Sequence, residues 1–133
     1  MRLAAAKCAI KNLYIGNYRY TGFLFIQSKD VKGVIMAKVS FTSSGDLLAA
    51  YLSGEIDHHS AQMLRQLIDA EISACMPMQL VLDFGNVSFM DSSGIGLILG
   101  RAKRMQAMEG SLVVQQAPDQ IKKMLDLARV DYK

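Results

Sequence analysis

The sequence predicts an α/β domain built on a mixed sheet, and three observations carry that expectation. Strand-like and helix-like periodicities alternate along residues 38–130 in the order strand, strand, helix, strand, helix, strand, helix. One run, "QLVLDF" at 79–84, is nearly all apolar, as expected of a strand buried on both faces. The junctions between runs carry turn and cap residues.

The elements follow in order. "KVSFT" (38–42) alternates, "SSGD" (43–46) is a turn, and "LLAAYLSG" (47–54) is a second strand, so the pair reads as an antiparallel hairpin. In "EIDHHSAQMLRQLIDAEISA" the residues Met63, Leu64, Leu67, Ile68 and Ile72 fall at helical spacing, with Asp57 or Ser60 as N-cap and Pro77 closing the unit. After 79–84 come a loop, "GNVS", and a helix from about Ser93 to Met108 with Gly110 as its C′ residue. "SLVVQQ" (111–116) is the last strand, Pro118 a helix start, and "DQIKKMLDLARV" (119–130) a final amphipathic helix.

With 133 residues, 51% apolar and 20% charged, the chain fits one globular domain. Cys8 and Cys75 are too few and too isolated for a disulfide framework or a zinc site, which points to a reducing intracellular setting. The net charge of +3 is not spread evenly: of fifteen basic and twelve acidic residues, six and one lie in residues 1–35, leaving nine against eleven in the rest. The body is mildly acidic, which excludes a nucleic-acid footprint there.

Residues 1–35 lack a clean period, a membrane-length apolar run and a signal-peptide pattern. Tyr14, Tyr18 and Tyr20 beside Lys11 and Arg19 are a weak signal for a membrane-surface or RNA contact. Lys32-Gly33-Val34 is encodable by a purine-rich stretch like a ribosome-binding site just before the Met36 codon. The expectation is a non-native or disordered leader over 1–35, with Met36 as the true start and the domain over 36–133.

The chemistry concentrates in "SFMDSSGIGLILGRA" (88–102), where Asp91, Ser92 and Ser93 stand between a strand and a helix. Helix capping accounts for all three residues. A nucleophile elbow fails, because Asp91 stands where the first glycine belongs and nothing pairs His58 or His59 with a serine. "GIGLILG" (94–100) spells a dinucleotide fingerprint one residue too long, and no acidic residue ends the next strand; its glycines also suit close packing of helix on sheet. His58 and His59 lack a third metal ligand nearby. A serine at a helix start also tolerates phosphorylation, because the helix N-terminus favours negative charge.

"GEIDHHSAQMLRQLID" (54–69) together with "NVSFMDSSGIGLILGRAKRM" (86–105) resembles the STAS-domain family of anti-sigma factor antagonists, nearest to the branch that serves sigma-F in endospore-forming bacteria. The likeness spans about residues 36–130. It implies a cytoplasmic, non-enzymatic regulator without cofactor, metal, nucleic-acid or membrane binding. It further implies that the unphosphorylated form binds an anti-sigma factor that is also a serine kinase and so frees the sigma factor. That kinase would use ATP to phosphorylate Ser92, with Ser93 as second choice, and a metal-dependent serine phosphatase would reverse the mark. Glu55, Asp57 and Asp91 are expected to face the partner, with Met90, Gly94 and Ile95 as the apolar part of the contact and the other methionines as core filler. The alternatives are a nucleotide- or small-molecule-sensing module on the same fold, and an inert remnant. The family continues beyond "LARVDYK" with a further strand and helix, so the STAS-like sheet of four to five strands is expected to be truncated, leaving Ile121, Met124 and Leu125 exposed.

Overall fold

The computed structural model describes residues 12–15, 18–21 and 37–133. Within the expected leader these include two short strands, β1 (Asn12–Ile15) and β2 (Tyr18–Thr21), paired antiparallel from Asn12↔Thr21 to Ile15↔Tyr18. The rest of residues 1–36, including Cys8 and the proposed start at Met36, lies outside the described residues, as do the side chains of Tyr14, Tyr18 and Tyr20.

Residues 37–133 form a four-stranded mixed sheet with three helices. The strands are β3 (Ala37–Ser44), β4 (Leu47–Ile56), β5 (Gln79–Met90) and β6 (Ser111–Gln115), in the spatial order β3-β4-β5-β6. The helices are α1 (His58–Cys75), α2 (Ser92–Ala107) and α3 (Asp119–Leu127). The β3–β4 hairpin is antiparallel and turns at Gly45, whose φ of 59° suits glycine. β4–β5 and β5–β6 are parallel, each joined through a helix. Because both crossovers step the same way across the sheet, their common handedness places α1 and α2 on one face.

The register shows which residues that face collects. Phe41, Ala50, Leu82 and Val114 form one cross-strand row, and Leu48, Leu80 and Leu112 lie on the next. They pack against Leu64, Ile68 and Ile72 of α1, Leu97, Ile98 and Met105 of α2, and Ile121 and Leu125 of α3. Burial of Ile121 and Leu125 corrects the expectation that the last helix leaves them exposed; Met124 is half-buried, and the residue left outside is Leu127, at 87% exposure. The opposite sheet face is more polar, with Gln115 Nε2 donating to Asp83 Oδ2 at 2.8 Å. Past α3 the chain returns to the sheet edge, where the Lys133 N–H donates to the Val114 carbonyl at 2.8 Å.

Three boundaries differ from the sequence expectation. β5 does not end at Phe84 but runs on through Gly85–Ser88 to Met90, with register shifts against β4 at Tyr51/Ser53 and Gly54/Glu55 that absorb the irregular segment. α2 begins at Ser92, capped by Asp91. Its left-handed C-terminal residue is Glu109, at φ 63°, not Gly110. Gly110 serves packing instead: a Cβ there would sit 2.5 Å from the Met78 carbonyl oxygen and 2.9 Å from Met105 Cε. Met76 and Met78 are about half exposed, so they are not core filler, whereas Met105 is fully buried. Cys75 is buried in the core.

Gly110→Ala is therefore expected to destabilise the fold by about 2 kcal/mol, as overpacking against backbone does, lowering Tm by roughly 10 °C in a domain of this size. Gly100→Ala, where a Cβ meets nothing within 4 Å, is expected to raise stability by about 1 kcal/mol through helix propensity alone. Thermal melts of the two variants check the pair.

Candidate functional site at two adjacent helix starts

The parallel strands β4 and β5 end level with each other, Ile56 pairing with Met90, and the Asp91 N–H donates to the Ile56 carbonyl at 3.1 Å. Each strand then turns into a helix through an aspartate in extended conformation, Asp57 at φ −105° and Asp91 at φ −101°. Two helix N-termini thus lie side by side at the carboxyl ends of parallel strands, the usual place for sites in such sheets.

Asp57 and Ser60 form a reciprocal capping box: the Ser60 N–H donates to Asp57 Oδ1 at 2.8 Å, and the Asp57 N–H donates to Ser60 Oγ at 2.9 Å. Of the two sequence candidates, Asp57 is the cap and Ser60 its partner. The hydrogen bond from the Ser60 N–H holds the Asp57 carboxyl below its ordinary range, against a smaller opposing effect of burial. Asp91 caps α2 through the Ser93 N–H, at 2.8 Å.

The two serines part company here. Ser92 is the first residue of α2, exposed, and its hydroxyl has no hydrogen-bond partner among the described residues. Ser93 is half-buried, with Oγ 3.5 Å from His58 Nδ1. Glu55 is exposed on the strand just before α1 and pairs in register with Phe89, which is 48% exposed. Met90 and Gly94 are buried, which corrects their expected place on a contact surface: a Cβ at Gly94 would collide with the Met90 side chain, so the glycine exists to let α2 sit on that methionine. Ile95 remains half-exposed. Close packing does not explain Gly96 and Gly100, which face open space.

Behind the helix starts, α1 and α2 are cross-linked. Asp69 Oδ1 lies 2.9 Å from Arg101 Nε and 3.2 Å from one terminal nitrogen of Arg104, whose other terminal nitrogen donates to Ser73 Oγ at 2.6 Å. The Arg101–Asp69 contact is ionic only, since neither Nε nor that oxygen has a hydrogen-bond partner among the described residues. Burial presses the Arg101 guanidinium below its ordinary range, and Asp69 opposes the shift. In front of this link a cleft of about 400 Å³ opens between the helices, with His58, Arg65, Ser93 and Gly96 among its lining residues. Sequence reading missed Arg65; its spacing from His58 and Ala61 on one face of α1 was readable, but the apposition of that face to α2 was not. Among the described residues no three His, Cys, Asp or Glu side chains cluster as metal ligands, and no helix is long and apolar enough to cross a membrane.

The STAS-domain family model matches residues 38–133. The chain belongs to the STAS family. Among its STAS relatives, the anti-sigma F factor antagonist of Paenibacillus polymyxa is 38% identical over 82 residues, covering 62% of this chain and 70% of that protein. The solved structure of the anti-sigma factor antagonist SpoIIAA in its unphosphorylated form superposes with a TM-score of 0.63 at 25% identity, covering 71% of this chain and 87% of that one. The Bacillus cell fate determinant SpoIIAA in its phosphorylated form superposes at 0.59, also at 25% identity, over 71% and 90%. The STAS fold expected from the sequence is therefore the fold observed.

Asp57→Ala is expected to cost about 1 kcal/mol at pH 7, the usual value of a lost N-cap. Asp57→Asn caps about as well and should be near neutral there. Because the folded carboxyl titrates below its ordinary value of 3.8, its extra stabilisation is complete above that value and is lost as pH falls through the folded one. Urea unfolding at pH 7 and pH 3 should show the wild type losing more stability on acidification than Asp57→Asn.

Proposed function

We propose that the protein is an anti-sigma factor antagonist, working by binding and not by catalysis, whose unphosphorylated form docks an anti-sigma factor through the surface around Glu55, Asp57, Asp91 and Ile95. The anti-sigma factor acts as a serine kinase: the γ-phosphoryl of ATP passes to Ser92 Oγ, the hydroxyl loses its proton, and ADP leaves. A serine phosphatase hydrolyses the ester to restore the hydroxyl and release inorganic phosphate. Binding frees a sigma factor from its inhibitor; phosphorylation ends it. Sigma factors and ATP place this work in the cytoplasm.

The observation that carries the reading is the position of Ser92, an exposed hydroxyl with no hydrogen-bond partner among the described residues, at the first residue of α2 beside a second helix start. Backbone N–H groups and the helix dipole accept a phosphate there without refolding. The group adds roughly −1.5 to −2 charge next to Asp91, and a docked partner meets repulsion and a desolvation cost. The similarity of the chain to SpoIIAA in both its unphosphorylated and phosphorylated forms supports a switch that keeps one fold. The Asp57 carboxylate is engaged in its cap, so Glu55 is the freer acidic contact.

Recombinant anti-sigma F factor from Paenibacillus polymyxa with ATP is expected to place one phosphate on Ser92, lost in Ser92→Ala although Ser93 remains. Ser92→Asp is expected to weaken binding to that factor at least tenfold, about 1.4 kcal/mol, with an unchanged circular dichroism spectrum. Phosphosite mapping and calorimetry check both; phosphate on Ser93, or wild-type binding by Ser92→Asp, refutes the mechanism.

A further inference from the structure

We infer that the cleft between α1 and α2 is a second docking point, receiving a protein segment that presents an aspartate or glutamate carboxylate beside a small apolar side chain. The inference rests on the reading of the chain as a partner-binding switch and deepens it by naming what the partner inserts.

The cleft, about 400 Å³, has an apolar floor of Ala61 and Leu97, both nearly fully buried. Its rim carries His58 and Arg65 on α1 and Ser93 on α2. No acidic residue lines it. Arg65 has no ion-pair or hydrogen-bond partner among the described residues, whereas its neighbours Arg101 and Arg104 share Asp69. The exposed cation at the mouth is thus uncompensated among the described residues, and a carboxylate is its complement. Gly96 gives the second indication. Glycine weakens a helix relative to alanine, and here nothing within the fold asks for it, since a Cβ would meet no atom within 4 Å. What a side chain at that position would occupy is the cleft.

Placement gives the cleft a regulatory consequence. Ser93 stands at its rim and Ser92 one residue before, so a phosphate on Ser92 brings to the mouth the same sign of charge as the incoming carboxylate. The two compete for the positive end of the site, and phosphorylation disfavours insertion by electrostatics without moving α1 or α2.

The test uses the whole chain and two probes. Against recombinant Paenibacillus polymyxa anti-sigma F factor, Gly96→Leu, which fills the cleft, and Arg65→Glu, which reverses its charge, are each expected to raise Kd at least tenfold, with circular dichroism and Tm kept. Arg65→Gln is expected to fall between wild type and Arg65→Glu. Wild-type affinity in both Gly96→Leu and Arg65→Glu overturns the cleft while leaving the Ser92 switch standing. The second probe needs no partner: the capped tripeptide acetyl-Ala-Glu-Leu-amide, titrated at millimolar concentration, is expected to shift the amide resonances of Arg65, Ser93 and Gly96, and the shifts are expected to vanish in Arg65→Glu. Absence of such shifts in the wild type overturns the cleft. If the anti-sigma F factor fails to bind but the tripeptide shifts appear, the switch falls and the cleft stands.

Discussion

The level pairing of Ile56 with Met90 is the constraint from which the site follows. Two parallel neighbours that end together must each turn away through a crossover of the same hand, so their helices begin together on one side of the sheet. Each start exposes backbone N–H groups that need acceptors. Asp57 and Asp91 supply them with nearly identical backbone geometry, leaving both helix dipoles aimed at one patch of surface. The Ser92 hydroxyl sits on that patch with no hydrogen-bond partner among the described residues. Register, not any single side chain, creates the environment.

Local chemistry was legible in the sequence wherever a short-range rule governs it. Side-chain oxygens within three residues of orphan N–H groups made Asp57 or Ser60, and Asp91, Ser92 and Ser93, readable as cap candidates; the structure selects Asp57 and Asp91. What escaped was tertiary. Gly85, Asn86 and Ser88 read as a loop because they are small and polar, yet shifts against β4 keep them in the strand. Met90 and Gly94 read as surface because they flank an exposed serine, but they pack on each other. Gly110 looked like a helix terminator, and only the nearness of the Met78 carbonyl reveals its use. His58 and Ser93, 35 residues apart, meet through the crossover alone.

The charges around the two helix starts are unevenly placed. Glu55, Asp57 and Asp91 lie at the strand ends, while Arg65, Arg101 and Arg104 follow the seam between α1 and α2, where Asp69 answers the last two. A surface of this kind fixes the orientation of whatever approaches, since a partner turned around meets like charge on both halves. Ser92 lies where the strands give way to α2, so a group of fixed charge added there alters the balance more than it would elsewhere on the chain.

The guanidinium of Arg101 gives that seam a particular mechanical character. It is nearly enclosed, with Nε and one terminal N–H unsatisfied although Asp69 lies beside it. Water reaching those donors would recover hydration that enclosure has withheld. The boundary between the two helices is thus held by an ion pair enclosed on the arginine side, together with the apolar contacts of Leu64, Leu97 and Ile98. Such a pair joins α1 to α2 chiefly through the cost of leaving the enclosed guanidinium without its counter-charge.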